Sequence, residues 1–127
     1  MKILIAVALG GGLGATLRYL LVQLAQGLFG TGFPYGILTA NVLGSFVMGA
    51  FAAWLAATGA LSGEMRAFVA VGVLGGFTTF SSFSLDTVVL AERGDFGLAA
   101  AYVAVSLVLS IGALLAGLAL VRSLAAS

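Results

Sequence analysis

Four apolar stretches, each about the length of a bilayer crossing, make up nearly all of this 127-residue chain. At roughly 20 residues per crossing, they run from Ile3 to Ala25, Tyr35 to Ala57, Met65 to Leu90 and Phe96 to Val121. The connections are short: Gly27 to Pro34, Thr58 to Glu64 and Ala91 to Asp95. With 62% hydrophobic and 7% charged residues, against about a quarter charged in soluble domains, the chain lacks the polar side chains that a water-facing surface needs. The expectation is an all-α membrane protein whose four transmembrane helices form one domain over residues 1–127. The apolar run after Lys2 is long, glycine-rich and interrupted by Arg18, so it reads as a mature helix rather than a cleaved leader.

Composition also removes whole classes of chemistry. Cysteine and histidine are both absent, which excludes disulfides, thiolate metal sites and the commonest nucleophile and base pairs. A net charge of +1 without a basic cluster argues against nucleic acid as a partner.

An even number of spans puts both termini and the second connection on one membrane face. Lys2, Arg66 and Arg122 fall on that face; Arg93 and, if it lies at the far end of the first helix, Arg18 fall on the other. A bias this small barely orients a protein. It predicts insertion in both orientations, and hence an antiparallel, dual-topology homodimer with its twofold axis in the membrane plane. One fixed orientation is the alternative.

Helices in lipid associate through small residues that let backbones approach closely. Gly10 with Gly14, Ser45 with Gly49 and Ala53, Gly72 with Gly76, and Ala113 with Gly117 recur at four-residue spacing and read as packing seams.

The run Gly75, Gly76, Phe77, Thr78, Thr79, Phe80, Ser81, Ser82, Phe83, Ser84 interrupts the third stretch with glycines, hydroxyls and rings. Irregular backbone at membrane depth survives only where it is buried in protein or lines a water-filled path. The third helix is therefore expected to break near its middle. Its freed carbonyls either serve a hard cation or belong to a glycine kink satisfied by the Thr78 and Thr79 hydroxyls. Phe80 and Phe83, three apart, share a helix face. A ring edge is positive and can meet an anion, whereas a ring face favours a cation.

Asn41 sits inside the second span, where its amide either bridges two helices or offers a donor pair to an anion. Tyr102, Ser106 and Ser110 form a polar stripe on the fourth span; it either continues a hydrated route or consists of an interfacial tyrosine and two serines bonded to their own backbone. Arg18 either snorkels to the headgroups or charges the mouth of a vestibule, with Asp86 as a candidate partner.

The first-helix pattern Gly11 to Tyr19, the isolated Asn41 followed by Gly44 and Ser45, and GGFTTFSSFS in the third helix together resemble the Fluc fluoride channels, also called CrcB. The resemblance spans the whole chain. It implies a homodimer of inverted subunits in the inner or plasma membrane of a prokaryote, with two fluoride pathways and a structural Na⁺ at its centre. It further implies that Asn41 donates to fluoride and that Phe80 and Phe83 line the pore beside Ser81, Ser82, Ser106 and Ser110. Arg18 takes the vestibule position, and the carbonyls of Gly75 and Thr78 hold the sodium. Ser82 stands where many relatives carry threonine, keeping the hydroxyl but losing a methyl. The implied physiology is passive export: HF enters, dissociates in the more alkaline cytoplasm, and fluoride leaves through the channel, conferring fluoride resistance.

Two other readings compete. A proton-coupled small multidrug exporter needs a titratable carboxylate inside the bundle, yet Glu64, Glu92 and Asp95 fall in connections and Asp86 toward a helix end. A non-transporting assembly subunit leaves the phenylalanine and hydroxyl cluster unexplained. An enzyme has no nucleophile, base or metal site to work with.

Overall fold

The computed structural model describes residues 1–126. Among them every regular element is helical, and four segments are long and apolar enough to cross a membrane. They are α1 (Lys2–Phe29), α2 (Tyr35–Thr58), a composite third span (Gly63–Glu92) and α6 (Phe96–Ala126). The third span contains α3 (Gly63–Arg66), a π-helical run (Ala67–Leu74), α4 (Gly75–Phe77) and α5 (Phe80–Glu92). The protein is a multi-pass membrane protein.

The helices reach beyond the apolar windows that locate them. Backbone hydrogen bonding continues until a residue leaves the helical region. Gly30 at φ 78 ends α1, with its N–H on the Gln26 carbonyl, and left-handed Gly59 ends α2 on the Leu55 carbonyl. At the start of the third span the Ser62 hydroxyl accepts from the Met65 N–H, an ordinary N-cap.

The small-residue seams join specific partners. On α1, a side chain at Gly10 would meet the Phe68 carbonyl and Gly72, and one at Gly14 would meet the Val73 carbonyl. Gly76 faces Gly11 and Ala15 in return. Gly49 on α2 lies against the Leu114 carbonyl of α6, and Gly117 lies against the Phe46 carbonyl of α2. The bundle thus consists of two close pairs, α1 with the third span and α2 with α6. Lipid tails are as apolar as leucine, so it is contact between backbones that drives these pairs together. Where the pairs meet, Ile37, Phe83, Leu90, Ala99 and Tyr102 form the buried cluster.

Candidate functional site

Within the third span, Thr78 (φ −87°, ψ 155°) and Thr79 (φ −154°, ψ 124°) are extended, and they join α4 to α5. Two extended residues cost the hydrogen bonds of a helical turn, and the surroundings replace most of them. The Thr79 hydroxyl accepts from the Ser82 N–H and so caps α5, while the Thr78 hydroxyl and N–H both reach the Leu74 carbonyl.

Asn41 supplies the rest from the neighbouring helix. Its side-chain oxygen accepts the Thr79 N–H at 2.8 Å, and its Nδ2 donates to the Thr79 carbonyl at 3.1 Å. This reciprocal pair also fixes which end of the amide is nitrogen. The sequence left open whether Asn41 bridges helices or offers donors to an ion. It bridges, using its oxygen and one of its two N–H groups, so the full donor pair is not free.

The diversion has a consequence for two carbonyls. In a continuous helix Gly75 would receive the Thr79 N–H and Thr78 would receive the Ser82 N–H. Those donors go to Asn41 and to the Thr79 hydroxyl instead. The Gly76 carbonyl, next in line, is taken by Arg18 Nε at 3.1 Å. Arg18 thus reaches across to the interrupted turn, with its Nη1 3.4 Å from the Ser82 hydroxyl.

Beside the extended pair lies a groove of about 230 Å³. Asn41, Ser45, Thr78, Thr79, Phe80, Phe83, Ser106 and Ser110 line it. Phe83 is buried and Phe80 is 75% exposed, with ring centroids 5.5 Å apart and planes tilted by 50°. The oxygens of Ser106 and Ser110 are buried without a hydrogen-bond partner, so neither serine bonds back to its own helix. Buried hydroxyls normally find partners. Here two lone ones line the same groove.

Residues 5–118 match the family described as "CrcB-like protein, Camphor Resistance (CrcB)". The chain belongs to the CrcB family. A "Fluoride-specific ion channel FluC" from Rhodospirillum centenum is 58% identical over 124 residues, covering 97% of this chain and 98% of the relative. Proteins of the same name from Agrobacterium fabrum and Caulobacter vibrioides are 52% and 49% identical, across 93% and 96% of this chain and 94% and 97% of theirs.

Not every residue singled out from the CrcB motif reaches the groove. Ser81 is exposed, with its hydroxyl 3.3 Å from that of Thr79, and Ser82 faces Arg18 in a separate cavity with Tyr19 and Asp86. Asp86 does not pair with Arg18 but accepts from the Tyr102 hydroxyl at 3.2 Å. Tyr102 is fully buried, 5.2 Å from Phe83 between ring centroids. The sequence carried one signal for this pair: the one carboxylate between Met65 and Leu90 and a lone tyrosine in the fourth span, each needing a partner away from water.

Proposed function

We propose that this CrcB chain is a fluoride-selective channel through which cytoplasmic fluoride leaves by passive electrodiffusion. The observation that carries the reading is the groove, where Asn41, Phe80 and Phe83 converge on two buried, unpartnered serine hydroxyls. Fluoride is small and holds its water tightly, so a selective path must replace that water with compact donors. The remaining Asn41 N–H and the Ser106 and Ser110 O–H groups are neutral donors of that kind. Edges of Phe80 and Phe83 turned to the ion add weak positive potential without a fixed charge that would trap it. Arg18 raises the anion concentration beside the turn that it also clasps. No bond is made or broken along such a path, so the reading is of a channel and not of an enzyme.

The groove is complete only with a second copy. Phe80 and Gly75 are exposed although they belong to the interrupted turn, and polar backbone at that depth does not face lipid. An inverted second copy would cover both. The exposed turn is what supports the inverted dimer. On its axis the third span acts as a broken helix. The carbonyls of Gly75 and Thr78, left without their helical donors, are neutral hard oxygens of the type that holds Na⁺, and these residues would bind a structural sodium. The sodium would neutralise the carbonyl dipoles gathered at the axis.

Purified protein in liposomes provides the test. Fluoride efflux is expected to be electrogenic, to run without a proton gradient and to exclude chloride. Efflux that depends on protons would instead indicate an exporter, although Asp86, the carboxylate such a mechanism would use, lies outside the groove.

A further inference from the structure

We infer that Phe33, in the connection between α1 and α2, is a positioning residue for ion passage: it holds the plane of Tyr102 and, through Tyr102, the plane of Phe83. The inference rests on the channel reading above. Phe33 and Tyr102 lie 5.5 Å apart between centroids with their planes at 87°, an edge-to-face contact. Tyr102 continues to Phe83 at 5.2 Å, and Phe83 to Phe80 at 5.5 Å. Four rings therefore connect a membrane-face loop to the groove.

Tyr102 needs this support. Its hydroxyl is tethered at one point, to Asp86 Oδ2. One tether at the tip fixes the position of a tyrosine but leaves its ring free to turn about the long axis. The ring contacts with Phe33 and with Phe83 restrict that turn. The plane matters because a phenyl group is positive only at its edge. If Phe83 turns its face to the groove, it repels the anion that its edge would attract. Phe33 itself is anchored independently of the groove. Its carbonyl accepts the Tyr35 N–H at 2.9 Å, its ring lies 4.9 Å from that of Tyr35, and the loop is tied to α5 by Arg93 Nη1 on the Thr31 carbonyl at 3.3 Å.

Three substitutions test the role in reconstituted, assembled protein, with efflux normalised to the amount of assembled channel from gel filtration. Phe33→Leu keeps the apolar bulk but loses the edge-to-face contact; saturating fluoride efflux should fall about two- to tenfold, the range that one aromatic pair contributes. Phe33→Trp keeps an aromatic edge and should restore at least half of the wild-type rate. If Phe33→Leu does not assemble, Phe33→Met carries the same comparison. Wild-type efflux in the Leu or Met variant overturns the inference, as does equal loss in the Trp and Leu variants, because bulk rather than ring orientation would then be the requirement. Absence of fluoride efflux in the unsubstituted protein would overturn the channel reading itself.

Discussion

At the residue scale, Asn41 and Ser106 separate support of the backbone from service to the ion. Asn41→Ala leaves the Thr79 N–H without its acceptor, and a buried unpaired donor costs about 1–3 kcal/mol. Both thermal stability and fluoride efflux should fall. Ser106→Ala removes an oxygen that bonds to nothing. Stability should stay within about 0.5 kcal/mol of wild type or rise, while efflux falls. Thermal unfolding in detergent and efflux from liposomes, measured on both variants, check the pair; a Ser106→Ala protein that is less stable but equally permeable would remove Ser106 from the path. The sequence made these side chains visible as candidates because polar groups in lipid demand a reason. It could not assign their partners, since Asn41 and Thr79 are 38 positions apart and meet only once two helices have packed.

At the scale of the element, the four spans were legible because hydrophobic length is a property of the chain itself. The helices themselves run further than those spans, α1 to Phe29 and α6 to Ala126, past Ala25 and Val121, because a helix's hydrogen bonding need not stop where its apolar run does. The glycine seams were legible as seams, but spacing does not name a partner. Gly49 shows how tight the α2 and α6 seam is. A methyl there would collide with the Leu114 carbonyl, so Gly49→Ala should cost about 1–3 kcal/mol as the helices part. Gly97→Ala meets nothing within 4 Å and should be neutral within about 0.5 kcal/mol. Equal melting temperatures for both variants would refute the close approach.

At the scale of the whole molecule, the proposed assembly is an inverted pair around the interrupted turn. The chain has no cysteine, so Ala60→Cys in the second connection provides a single labelling point. An impermeant thiol reagent applied to intact spheroplasts should label part of the population, and permeabilisation should expose the rest in similar amount. Labelling on one face alone would exclude the inverted dimer. If the Gly75 and Thr78 carbonyls hold sodium at the axis, exchanging sodium for N-methylglucamine should lower the melting temperature of the dimer; an unchanged value would remove the cation from the proposal.

By itself the sequence determined the all-helical membrane architecture, the number of spans and the family, because apolar length and a compact motif are local properties that no packing can alter. The tertiary structure decided what each polar group does. Arg18 clasps the Gly76 carbonyl, Asn41 gives half of its amide to Thr79, Asp86 takes Tyr102, and Ser106 and Ser110 are left without partners. Those outcomes depend on which donors and acceptors reach one another across helices. Inside a membrane no water is present to settle the difference.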